Sequence, residues 1–200
     1  MSHKSSLLPF RGLAAAGAVV LLGGCISFGG EPPDLLLTLT PQSGLSAGVG
    51  PSGMPASALL VEEPDAPQRL AVNRIPVQVD DTGVAYLTGA EWVERPSRLF
   101  RRLLAETIRA KNGRLVMERD DPSVASSEVL RGTLREFGYD ARSQSVTVTF
   151  DAIRKRADNS LETRRFTSSV PGVLPEAAPV GQALNTAANA VVSDVANWVG

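Results

Sequence analysis

Ser145-Val-Thr-Val-Thr-Phe-Asp-Ala152 alternates between apolar and polar residues almost without a break. Val146, Val148, Phe150 and Ala152 fall on one face of an extended chain. Thr147, Thr149 and Asp151 fall on the other. Side chains of a strand point alternately to its two sides, so a period of two marks a strand with one buried and one wet face. Antiparallel sheets contain such strands, whereas all-parallel sheets are covered on both faces. Upstream, Val129 to Phe137 repeats the pattern, with Leu130, Gly132 and Leu134 on one face and Arg131, Thr133 and Arg135 on the other. Gly138 to Ser145 reads as the connecting turn, and Ser160 to Ser168 as a third neighbour.

Further upstream the signals are shorter. Leu35 to Thr40 is β-like, and Pro41 to Ser57, rich in Gly, Ser and Pro, is a loop. Leu59 to Val61 reads as a strand, and so does Leu70 to Val79, with a break near Asn73-Arg-Ile75. Asp81-Thr-Gly83 is a turn into Val84 to Leu87, which makes a hairpin. Arg114 to Met117 is a further short strand.

Two segments have helical spacing instead. Pro96 opens the first, where a missing N–H costs nothing. Leu99, Leu103 and Thr107 form one row, Phe100, Leu104 and Ile108 the next, and Asn112-Gly113 stops the helix. Pro179 opens the second, with Val180, Ala183, Leu184, Ala187, Ala188, Val191, Val192, Val195 and Trp198 on a broad stripe of mostly small residues. The predicted fold is α+β: an antiparallel or mixed β-sheet with two long helices packed on it. A chain of 200 residues, 43% of them apolar, suffices for one domain with a core.

The N-terminus predicts the compartment. Lys4 and Arg11 precede the uncharged run Gly12 to Gly24, the two parts of a secretory signal. A bilayer span needs about 20 apolar residues, more than this run provides. The run ends in Leu22-Gly23-Gly24-Cys25, which resembles the lipobox of bacterial lipoproteins. Cleavage before Cys25 and acylation of its thiol follow from that reading. Several acyl chains anchor a protein firmly, at about 0.8 kcal/mol per buried CH₂. Cys25 is the single cysteine, and lipidation explains an unpaired thiol in an exported chain. Ile26, where an Asp would retain the protein at the inner membrane, favours the outer membrane. The 20 basic residues lose Lys4 and Arg11, leaving 18 against 21 acidic residues and a formal charge of −3.

Chemistry is sparse. The single histidine, His3, lies inside the signal, so the mature chain has no His-based triad, base or metal ligand. Gly48-Val-Gly-Pro-Ser-Gly53 matches a nucleotide-loop pattern literally, but its prolines block the helix such a loop must open. Asp80-Asp81 and Asp120-Asp121 read as turn residues, with a carboxylate-only hydrolase or a calcium site as the alternative. Arg98, Arg101 and Arg102, and the run Arg154-Lys155-Arg156, read as solvated faces, and no basic excess points to nucleic acid. Trp92, between Glu91 and Glu94, is either an interface anchor or a core residue. No catalytic, cofactor or metal site is predicted.

In order along the chain stand the lipobox Cys25, a short Leu-Thr-Leu strand and Leu70-Ala-Val-Asn-Arg-Ile-Pro-Val77. Val84-Ala-Tyr-Leu87, Glu91-Trp-Val-Glu-Arg-Pro96 and the first helix follow. Then come the strand ending Arg135-Glu-Phe137, the alternating strand Val146 to Ile153, and an Ala-rich helix closing on Val195-Ala-Asn-Trp198. This series resembles the ABC-type transport auxiliary lipoprotein family (PqiC-like). The resemblance implies a layout of signal peptide 1–24, lipidated tether with short strand and loop 25–57, and auxiliary lipoprotein domain 58–200. It implies a non-catalytic part of an envelope system that moves lipids or other hydrophobic substrates. The partners it implies are an Mce-domain periplasmic protein, a permease and an ATPase, with a homo-oligomer as a further possibility. A structural envelope lipoprotein that binds another surface-assembly protein is the alternative, and a lipid-anchored hydrolase using the paired aspartates is a third.

Overall fold

A computed structural model describes residues 33–118 and 128–200, and they belong to one unit, Pro33–Gly200. The strands are β1 (Leu35–Leu37), β2 (Leu59–Val61), β3 (Arg74–Gln78), β4 (Val84–Trp92), β5 (Val116–Met117), β6 (Glu128–Asp140), β7 (Ser145–Lys155) and β8 (Leu161–Val170). The helices are α1 (Pro96–Asn112) and α2 (Ala177–Val199). The α+β expectation holds, with a mixed sheet. Residues 33–57, set with the tether in the sequence reading, are continuous with the domain because β1 lies parallel to β4.

The long strand β6 organises the sheet. Antiparallel β7 occupies one of its edges along nearly the full length, and β8 follows β7. The other edge is shared: β2 lies parallel to its beginning and β3 parallel to its end. A bridge from Asp65 to Thr133 fills the gap between them. Beyond β3 come β4 and then β1; beyond β2 comes β5.

The alternation read in β6 fails past Leu134. A bulge between Leu134 and Glu136 puts Arg135 and Glu136 both in solvent. Leu130 and Leu134 are buried before it, Phe137 and Tyr139 after it. An extra residue on one strand shifts the side-chain phase by one, so the apolar set stays on the core face. The β3–β4 hairpin is present, closed by the Val79 N–H on the Gly83 carbonyl at 3.0 Å. The break predicted near residue 73 ends a short turn at Gln68–Leu70, after which β3 begins.

Helix α1 matches its expected bounds. Gly113, at φ 58°, takes the left-handed cap and donates to the Arg109 carbonyl. Helix α2 starts two residues before Pro179. Proline is tolerated there because the first helical N–H groups have no intrahelical acceptor. The small residues of α2 let it lie close to the sheet, with Val180, Leu184, Ala187, Ala188, Val191, Val192 and Val195 fully buried. The Phe150 ring stacks at 5.2 Å on Phe100 of α1 and fills the space beside Gly132. A β-carbon at residue 132 would stand 2.1 Å from the Asp151 carbonyl, so glycine is required.

Candidate interaction surface

Cys25, Leu22, Gly23 and Gly24 lie outside the described residues, as do Asp120 and Asp121. Asp80 is a turn residue. Its Oδ1 accepts the N–H groups of Thr82 and Gly83 at 2.9 and 2.6 Å, and these bonds hold its carboxyl below the usual range. Asp81 faces Arg142 across the hairpin ends. Residues 48–53 are irregular and lead only into a three-residue turn, Pro55–Ser57, so no helix N-terminus follows them.

Trp92 is 1% exposed and meets Phe137 edge-on at 5.4 Å. It is a core residue, and the interface alternative is corrected: no partner reaches its ring. The reason is its place as the last residue of β4, on the face that α1 and α2 cover. Trp198 is the partly exposed tryptophan, at the end of α2 and 5.6 Å from Phe166. Sequence reasoning counted it only as part of the apolar stripe.

The solvated-face reading fails for Arg154, which is 6% exposed. Continuing the alternation from Ala152 by two residues puts it on the core face, a signal already present in the sequence. Its Nη2 pairs with Glu128 at 3.0 Å, and Arg114 pairs with the same carboxylate at 2.9 Å. Burial pushes the Glu128 carboxyl up, but the two guanidiniums outweigh it and leave it below the usual range. Arg154 and Arg114 also donate to the last carbonyls of α2, Trp198 at 3.1 Å and Val199 at 3.2 Å. Cations suit that end of a helix, where the carbonyl dipoles converge.

The run Arg98, Arg101, Arg102 lines a cleft of about 840 Å³ beside Glu63, Glu94 and Glu118. Arg98 and Arg102 pair with Glu94, and Arg101 donates to the Glu118 carbonyl. On the wet face of the sheet, Asp151 binds Arg165 at 2.6 and 2.8 Å and Arg135 at 2.9 Å. Arg165 is the main cause, acting against burial and helped by Arg135, that lowers Asp151 to about 2. The remaining displaced carboxylates also move down, Asp140 through Arg142 and Asp158 through Ser160. Among the described residues no three metal-ligating side chains cluster, and no helix is long and apolar enough to cross a membrane.

What the geometry does offer is surface. Strand β8 pairs with β7 and has no second neighbour among the described residues, and its ten-residue register is unbroken. It carries the exposed Arg164, whose guanidinium lies 5.3 Å from the ring of the buried Phe166, which in turn packs 5.6 Å from Trp198.

Residues 38–196 match the family described as ABC-type transport auxiliary lipoprotein component. The chain belongs to that family. The auxiliary lipoproteins are membrane-anchored envelope components of transport systems, and this role needs no catalytic residue. A crystal structure of a Xanthomonas campestris protein shares the auxiliary lipoprotein's fold, with TM-score 0.69 and 19% identity over 82% of this chain and 94% of that one. Another, of an uncharacterized protein, gives 0.64 and 16% over 76% and 97%. A PelC dodecamer from Paraburkholderia phytofirmans is looser, at 0.39 and 13% over 72% and 92%, and carries no argument. No curated protein matches the sequence.

Proposed function

We propose that the protein is a non-catalytic auxiliary component of an Mce/ABC-type system that moves lipids or other hydrophobic substrates through the envelope. In this reading residues 1–24 are removed and Cys25 carries the acyl chains. The domain then stands on the periplasmic face of the outer membrane and joins an Mce-domain protein to that membrane. An inner-membrane permease and an ATPase complete the system, and the lipoprotein itself acts alone or as a homo-oligomer. The observation that carries the reading is the family match over residues 38–196. The lipobox-like Leu22 to Cys25 supports it.

The test is purification of the tagged, lipidated protein from native envelopes in mild detergent, followed by mass spectrometry. Recovery of an Mce-domain protein together with a permease and an ATPase is expected. Recovery of a surface-assembly protein instead would replace this reading with that of a structural envelope lipoprotein. In parallel, Cys25→Ala should abolish incorporation of labelled palmitate and release the domain from the membrane fraction.

A further inference from the structure

We infer that the open edge of β8 is a docking site for an extended, acidic segment of a partner protein, which adds to the sheet as a further strand. This goes beyond the transport role, because it concerns how a partner is held and not which machinery it belongs to.

The backbone argument starts at the β7–β8 hairpin. The Arg156 N–H donates to the Ser160 carbonyl at 2.9 Å, so this pair closes the ladder. Hydrogen-bonded and non-bonded pairs alternate along an antiparallel ladder. The even-numbered pairs, such as Arg154 with Glu162 and Ala152 with Arg164, therefore carry the bonds to β7. The backbone groups of Leu161, Thr163, Arg165, Thr167 and Ser169 point to the open side. The same phase holds across the sheet, where the Leu130 and Gly132 carbonyls accept from Glu62 and Asp65 on the far edge of β6.

Natural sheets blunt such edges with proline, bulges, very short strands or charged side chains, and β8 has only the last, in Glu162, Arg164 and Arg165. Strand β8 has no proline and no register shift. Its side chains define the occupant. Arg164 makes no ion pair with any described residue, and Arg135 and Arg165 share one carboxylate, Asp151. The edge is thus locally positive in a chain of net negative charge. Exposed Arg164 and half-buried Trp198, which flank the buried Phe166, are of the residue types that dominate binding energy at interfaces.

A second copy is the weaker occupant. Antiparallel pairing of two chains centred on β8 brings their Arg164-Arg165 steps side by side, and like charges across strands repel. Strand addition by an extended peptide needs only the backbone row and flanking side chains that β8 presents.

The probe is the blocked peptide Thr-Glu-Val-Glu-Val-Glu-Thr, titrated onto the detergent-solubilised mature lipoprotein, with a Lys-for-Glu peptide as control. Hydrogen exchange should slow in residues 161–170 and not in β1, and the acidic peptide should bind at least tenfold more tightly. Thr167→Pro removes one open-side donor and leaves the bonds to β7 intact, so the fold should persist by circular dichroism while affinity falls at least tenfold. Arg164→Glu, at an exposed position, is the second variant and should reverse the preference toward the Lys peptide. No protection of β8, equal binding of the two peptides, or undiminished binding by the folded Thr167→Pro and Arg164→Glu variants overturns the inference. Self-association that Thr167→Pro abolishes would make a second copy the occupant and overturn it as well. None of these readouts needs the transport machinery, so failure here and failure of the proposed function are separate results.

Discussion

Asn189 and Gln42 are joined across the chain: the Oδ1 of Asn189, buried in α2, accepts the Gln42 N–H at 2.8 Å. Its Nδ2 donates back to the Thr40 carbonyl at 2.9 Å, and Asn185 accepts the Thr40 N–H at 2.9 Å. The carboxylate of Glu106 on α1 then takes the Leu45 N–H at 2.9 Å. A segment without a strand neighbour is thereby stitched to both helices by side-chain amides and a carboxylate.

Asn189→Ala should cost about 1 kcal/mol, because the exposed backbone of residues 40 and 42 regains water. The larger effect should be local. Hydrogen exchange across residues 38–45 should accelerate while β6 and β7 keep their protection. Equal acceleration throughout the domain would show that the stitch is not local.

Two glycines should differ sharply. Gly132→Ala places a methyl group against the Asp151 carbonyl at 2.1 Å and the Phe150 ring at 2.8 Å, and backbone cannot retreat cheaply. A loss of about 3 kcal/mol is expected in denaturant unfolding. Gly181→Ala meets only the tip of Leu37 at 2.8 Å, a side chain that can turn aside. Alanine also favours a helix by about 1 kcal/mol, so the two effects should nearly cancel.

Acid should weaken the wet face of the sheet. The Asp151 carboxyl is lowered from 3.8 to about 2 by Arg165, against burial, and then by Arg135. A depressed folded pKa contributes stability above the unfolded value, and this is lost as pH falls through the folded one. The contribution of Asp151 should therefore fade between 3.8 and about 2, and Asp151→Asn should flatten the unfolding curve over that window. Glu128, lowered from 4.5, acts with the same sign, so a residual slope should persist in the variant.

Arg154→Met removes a 6%-exposed cation from Glu128 and from the Trp198 carbonyl. Breaking one side of a buried pair costs about 3 kcal/mol, here at the lower end because Arg114 remains on the same carboxylate. Adding Glu128→Gln should recover part of that loss. A double variant no more stable than Arg154→Met would mean the pair is not the origin of the cost.

Much of this fold is legible in the sequence, because periods of two and of 3.6 report directly on which face is covered. β7, α1 and the β3–β4 hairpin follow from pattern and punctuation alone. What stays hidden is long-range. Nothing local in Leu59-Leu-Val61 says that it lies parallel to the start of β6, since parallel pairing is set by where the intervening chain returns. Trp92 is ambiguous in sequence because acidic neighbours suit a surface, while its own β position faces inward. Arg154 is misread by composition and recoverable by phase. The β8 edge is invisible in sequence, because an edge is defined by a neighbour that is missing.

The bulge at Arg135 makes β6 resemble a message read in two frames. Its first half presents Leu130 and Leu134 inward on even numbers, its second Phe137 and Tyr139 on odd. Loss of a single residue there would set all four side chains in one frame and leave them facing inward, whereas loss of one elsewhere in β6 would set its two halves against each other. Evolution is thus free to lengthen or shorten the neighbouring loops, whereas β6 can lose a single residue only at its bulge.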